Sequence, residues 1–166
     1  MDRDELRRVQ APLKDRYRAE ADAAVVTLRA EGSLAEADVS CSVQTGRALV
    51  EAGLHPATGG DGSLACSGDM LLQALVACAG VTLRSVATNR GIDVRGMVHA
   101  EGDLDFRGTL GVARDAPVGF RAIRLRFELE SDAGAEDLDA LVATTERYCV
   151  VLQTLASSPE LSVART

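Results

Sequence analysis

The segment DMLLQALVACAGVTLRSVATNR, residues 69–90, constrains the fold more than any other. From Met70 to Leu83 it is apolar almost all round, though it contains Gln73. A helix on the surface of a globular protein keeps a polar face, so one without such a face must be covered on both sides. The run falls short of the roughly 20 residues that span a bilayer, and it reads as a buried helix. Ser67 is a candidate N-cap and Gly91 a stop. A chain of 166 residues can cover one side with its own sheet. The other side calls for a second helix or a second subunit.

The flanking segments supply the sheet. Ala24 to Ala30 is β-branched and apolar, and Val39 to Val43 alternates, with Val39, Cys41 and Val43 on one face. Thr45 and Gly46 read as a hairpin turn and Arg47 to Ala52 as the return strand. The loop that follows, GLHPATGGDGS, carries too many Gly and Pro for regular structure. Beyond Gly91, GIDVRGMVHAEGDLDF predicts a strand. Ile123 to Glu130 is the cleanest one, with Ile123, Leu125, Phe127 and Leu129 inward and Arg124, Arg126, Glu128 and Glu130 outward. Ala135 to Ala156 predicts one long helix with Glu136, Asp137 and Asp139 in its first turn, where the macrodipole favours negative charge. Its inward stripe runs through Leu138, Leu141, Val142, Thr145, Cys149, Leu152 and Ala156. Leu161 to Ala164 is a candidate closing strand. At the other end, residues 1–20 form a helical arm that Pro12 should break or bend, leaving residues 21–166 as the main domain. Strands, helix, strands, helix is an α+β order.

Charge and composition exclude partners. The net charge is −7, aromatic residues make up 3% and Trp is absent, so the chain lacks both the basic surface and the rings that nucleic acid requires. Anionic membrane surfaces would repel it. The charged N-terminus has no apolar signal core, and a cytoplasmic location is expected. In that reducing compartment Cys41, Cys66, Cys78 and Cys149 are not expected to form a static disulfide framework, and none shows CxxC spacing.

The chemistry therefore rests on thiols. No GxSxG, HExxH or GxxxxGK occurs, and the histidines are His55, in the Gly-rich loop, and His99, in a strand. The glycines from Gly59 to Gly62 read as a turn, since Ser63 to Cys66 separate them from the helix. Cys78 and Cys149 each sit on the inward stripe of a long helix, and helices packed along those stripes bring the thiols together. A dithiol in disulfide reach can cycle between thiol, sulfenic acid and disulfide. Plain packing also accounts for both, because free Cys behaves as a small hydrophobe. An apolar helix interior raises a thiol's pKa unless a cation such as Arg opposes it. Asp69, in the first turn, is either a dipole-compensating residue or the carboxylate that holds such an Arg. Cys66 lies near the same helix N-terminus, and Cys41 faces a sheet interior.

The stretch CSGDMLLQALVACAGVTLRSVATNRGIDV, followed about seventy residues on by ERYCVVLQTL, resembles the OsmC/Ohr family of hydroperoxide-resistance proteins over roughly residues 53–155. The resemblance implies an α+β fold with antiparallel sheets, two long central Cys-bearing helices and an intertwined homodimer. It implies that Cys78 is the peroxidatic cysteine and Cys149 the resolving one, and that Asp69 orients a catalytic Arg. The implied activity is reduction of organic hydroperoxides, reset by an external dithiol, with no metal or organic cofactor. Asp69 stands where members commonly carry Glu, and Val150 follows Cys149 where many carry Pro. The Arg matches no motif position; Arg47 and Arg29 are candidates by location. The other reading is a non-catalytic dimer of the same fold that binds an apolar small molecule.

Overall fold

The computed structural model describes residues 3–33, 42–43 and 52–165. Val39 to Cys41, the turn at Thr45 and Gly46, and Arg47 lie outside the described residues. In chain order the elements are α1 (Arg3–Ala19), a 3-10 turn (Ala21–Ala24), β1 (Val25–Ser33), β2 (Ser42–Val43), β3 (Ala52–Gly53), a 3-10 turn (Pro56–Thr58), β4 (Ala65–Cys66), α2 (Ser67–Arg90), β5 (Arg95–Asp105), α3 (Phe106–Thr109), β6 (Phe120–Glu130), α4 (Ala135–Tyr148) and α5 (Val150–Ala156).

The fold is α+β. One antiparallel sheet has the order β2-β1-β5-β6, and β3 pairs with β4 in parallel. Alternation on β5 turns Val98, Ala100, Gly102 and Leu104 into the core. Gly102 is small for a reason, because a Cβ there would lie 2.4 Å from a ring carbon of Phe120, which packs over it. On β6 the inward residues Ile123, Leu125, Phe127 and Leu129 pack against the core but stay half-buried, since β6 is an edge strand. The opposite face carries ion pairs. Arg124 grips Asp103 at 2.6 and 2.8 Å, and Arg126 meets Glu128 at 2.7 Å.

Helix α2 lies on this sheet. Leu72, Leu75, Val76, Ala79 and Leu83 are completely buried, and α4 and α5 pack along its flank. The second cover that the sequence requires thus comes in part from within the chain. By length and composition α2 could cross a membrane, yet its buried side chains are the centre of the core. It begins at Ser67 with Cys66 as N-cap, one residue earlier than expected, and neither side chain makes a cap bond. It ends at Gly91, whose φ of 68° suits glycine, with Gly91 N–H donating to Thr88 O and Ile92 N–H to Ala87 O.

Four expectations are corrected. Helix α1 runs through Pro12 without a break. Proline forfeits one backbone bond, but the helix is anchored elsewhere, by Tyr17 Oη donating to Ala57 O at 2.7 Å and Gln10 Nε2 donating to Thr58 O at 3.2 Å. The Gly-rich loop contains a 3-10 turn at Pro56–Thr58, capped by His55 Nδ1, which accepts from Ala57 N–H, and closed by Gly59 at φ 95°. Leu161 to Ala164 forms no strand; these residues are exposed and pair with no strand among the described residues. Finally, the helix expected over Ala135–Ala156 is interrupted at Cys149.

Candidate active site

Cys149 adopts φ −71° and ψ 106°, an extended conformation that ends α4 and starts α5. Its N–H still donates to Thr145 O at 2.8 Å, and its carbonyl already accepts from Gln153 N–H at 2.9 Å. In a continuous helix, Val150 N–H would go to Glu146 O and Val151 N–H to Arg147 O. Here Glu146 O accepts instead from the Gln153 side-chain amide at 2.8 Å. The Val150 and Val151 N–H groups turn to the sulfur of Cys78 on the facing helix. The break thus frees backbone donors, these two among them, at the place where the helices bring their thiols together.

Cys78 is half-buried, Cys149 fully buried, and both are free thiols whose side chains hydrogen-bond each other. Their acidities move apart. Burial pushes the Cys78 thiol up, but the Val151 amide, the Cys149 thiol, the Thr82 hydroxyl and the Val150 amide together outweigh it and leave it below the ordinary thiol value. Burial pushes Cys149 up to about 11, with the neighbouring Cys78 adding to the rise against the Leu152 and Val151 amides. Of the pair, Cys78 therefore gives up its proton more readily than Cys149, an arrangement suited to nucleophilic attack by one and later proton donation by the other.

Asp69 stands apart from this pair. It lies about two and a half turns, ~14 Å, before Cys78 on the same helix. Burial raises its carboxyl pKa, opposed by the charge of His55. Among the described residues no Arg pairs with it; the group that faces it is His55, whose ring stacks on Phe106 with centroids 5.2 Å apart and planes at 21°. Cys66 packs at the core edge about three turns before Cys78, and Cys41 lies outside the described residues. Arg29 occupies a β1 position opposite Glu101 in register, and Arg47 is outside the described residues.

Two features escaped the sequence reading. His55 had no assigned neighbour, because a loop residue's contacts leave no periodic trace. Asp105 is a fully buried carboxylate that caps α3 and takes Arg107 in a two-pronged pair at 3.0 and 2.6 Å, which holds its pKa below the usual range. The Asp-x-Arg spacing at a helix start was the available signal. A cavity of about 620 Å³ opens at the far end of α2, lined by Gly91, Asp93, Arg95, Glu130 and Asp132 among others; no thiol reaches it.

The sequence matches a model of the OsmC-like protein family over residues 60–164. No curated protein sequence matches. Among solved structures, the fold is similar to a crystal structure of an OsmC-like hydroperoxide resistance protein from Jannaschia sp. CCS1, with 17% identity and a TM-score of 0.54, covering 86% of this chain and 97% of that one. At that identity the likeness speaks for the fold. The family match spans more than half of the chain and includes both cysteines of the pair, and the chain belongs to the OsmC-like protein family.

Proposed function

We propose that this protein is a thiol-dependent peroxidase that reduces organic hydroperoxides to alcohols in defence against oxidative stress. The observation that carries the reading is the contact between two free thiols whose acidities diverge, Cys78 down and Cys149 up to about 11. The Cys78 thiolate uses a sulfur electron pair to attack the terminal oxygen of R–O–OH. The S–O bond forms, the O–O bond breaks, and the alkoxide takes a proton from solvent and leaves as the alcohol. Cys149 then attacks the sulfenic sulfur, the S–S bond forms, and the sulfenic oxygen departs as water. An external dithiol reduces the disulfide and completes the cycle. No metal or organic cofactor enters it.

Asp69 is assigned the task of orienting an arginine beside the peroxide, with Arg47 and Arg29 as candidates by position. The protein works as an intertwined homodimer in the cytoplasm. Support for a second copy comes from apolar side chains left exposed along α2 and beside the thiols, namely Met70, Leu71, Val81, Tyr148 and Val150. The same apolar surroundings favour fatty or aromatic hydroperoxides over hydrogen peroxide. The test is consumption of cumene hydroperoxide with a dithiol, comparing wild type with Cys78→Ser. Turnover by wild type and none by the variant is expected; equal consumption refutes the reading. The non-catalytic dimer that binds an apolar molecule predicts slow alkylation of Cys78 at pH 7, which its stabilised thiolate argues against.

A further inference from the structure

We infer that His55 is a pH-sensitive latch for helix α1: while its ring nitrogen Nδ1 is unprotonated it holds the turn on which α1 is seated, and protonation loosens the helix. The latch involves neither thiol and stands apart from the peroxidase reading. Helix α1 and the 3-10 turn at Pro56–Thr58 both precede the stretch matched by the family, residues 60–164. Three contacts fasten the helix to that turn. Tyr17 Oη donates to Ala57 O at 2.7 Å, and Gln10 Nε2 donates to Thr58 O at 3.2 Å. Val9 lies against Gly59, where a Cβ would come within 2.8 Å of its side chain. The turn itself hangs on His55. Ala57 N–H donates to His55 Nδ1 at 3.0 Å, and the Thr58 and Gly60 N–H groups donate to the His55 carbonyl at 2.8 and 3.1 Å.

An imidazole nitrogen that accepts an N–H has its lone pair there, so the proton of the neutral ring sits on Nε2. Protonation adds an N–H at Nδ1, facing the Ala57 N–H, and two donors then meet where a bond was. Turning the ring aside means giving up its stack on Phe106, whose centroid is 5.2 Å away. Ala57 and Thr58 supply the two carbonyls that hold α1, so the loss is felt within the same turn. A bond to the neutral ring resists protonation. Its contribution is complete above the range in which histidine titrates and is lost as pH falls through that range, about pH 8 to 5. The other titratable groups around the ring come from each neighbouring element. Asp69 of α2 faces it and draws the proton towards it. Asp105 and Arg107, on either side of Phe106, are paired with each other at 2.6 Å. Burial raises the pKa of the Tyr17 phenol on α1, which therefore stays neutral, and Asp61 in the same loop accepts from Ser63.

His55→Asn keeps an acceptor at the cap, since Oδ1 takes the place of Nδ1, but it cannot be protonated. His55→Phe keeps a ring to stack and removes the acceptor. Hydrogen exchange of the full chain reads the docking of α1 as the protection of amides 13–19 relative to an unfolded chain at the same pH, with the β5 amides as reference. In wild type, α1 protection should fall about fivefold relative to β5 between pH 8 and pH 5, as expected for the loss of one hydrogen bond. His55→Asn should keep the high value at both pH values, and His55→Phe the low value at both. An NMR titration of wild type needs no variant: the Ala57 amide and the α1 amides should shift with the same midpoint as the His55 ring. Wild-type protection that ignores pH, an asparagine variant that loosens as wild type does, a phenylalanine variant as protected at pH 8 as wild type, or an α1 midpoint that departs from that of His55 overturns the inference.

Discussion

Replacing Val150 by proline isolates one backbone donor at the thiols. The site accepts proline: Val150 is the first residue of α5, its side chain is 70% exposed, and Cys149 before it already holds the extended conformation that a residue preceding proline needs. The substitution deletes an N–H that bonds the Cys78 sulfur and no other backbone bond, since Glu146 O is served by the Gln153 side chain. A hydrogen bond to a charged group contributes roughly 1.5–3 kcal/mol when buried. Cys78 is half-exposed, and the Val150 amide contributes less than the Val151 amide or Thr82. About 1 kcal/mol is therefore the expected loss, equivalent to a roughly fivefold smaller thiolate fraction at pH 7. A more basic thiolate is also a better nucleophile, by about twofold for that change. The two effects oppose below the titration midpoint and separate above it. Peptide-resolved iodoacetamide alkylation of Cys78 should run about two- to threefold slower than wild type at pH 7 and about twofold faster at pH 10. Such a crossing cannot come from altered access to the thiol, which would scale both rates alike. Rates unchanged at both pH values, or shifted in one direction at both, would refute the assignment of the Val150 amide to the Cys78 thiolate.

Other outcomes follow from packing and titration. Cys149 in the folded protein titrates near 11, above an unfolded thiol at about 8.5. The unfolded chain loses that proton first, so the associated stability is complete below about pH 8.5 and is lost as pH rises towards 11. Urea unfolding of the reduced protein across this window should show the decline, and Cys149→Ala should flatten it. Gly102→Ala places a methyl 2.4 Å from the Phe120 ring and should lower stability by about 1–3 kcal/mol in the same assay; Phe120→Leu in that background should recover part of the loss. Tyr17→Phe removes the bond from α1 to Ala57 O and should cost about 1 kcal/mol, read as a lower urea midpoint with an unchanged slope.

The parts of this fold that were legible in the sequence are those in which one period persists. The alternation of Ile123 to Leu129 states directly that a strand has one buried face, and β6 agrees; the all-round apolarity of Met70 to Leu83 calls for a helix covered on two sides, and α2 lies on the sheet with α4 and α5 covering part of its other side. What periodicity misses is a single residue at which tertiary bonding overrides a local preference. Pro12 marks a helix break by its chemistry, yet α1 continues because Gln10 and Tyr17 anchor it to the turn at Pro56–Thr58. At Cys149 the reverse holds. The sequence ERYCVVLQ contains neither Gly nor Pro, so a 3.6-residue stripe passes through it unbroken, but the backbone turns at that residue. Three of its released groups find partners: Glu146 O takes the Gln153 amide, and the Val150 and Val151 N–H groups take the sulfur of Cys78. A break that costs helical bonds is more tolerable when donors and acceptors it frees are reused. Here the acceptor is the sulfur whose charge the proposed reaction needs, so the departure from helical regularity and the tuning of the nucleophile are one structural event.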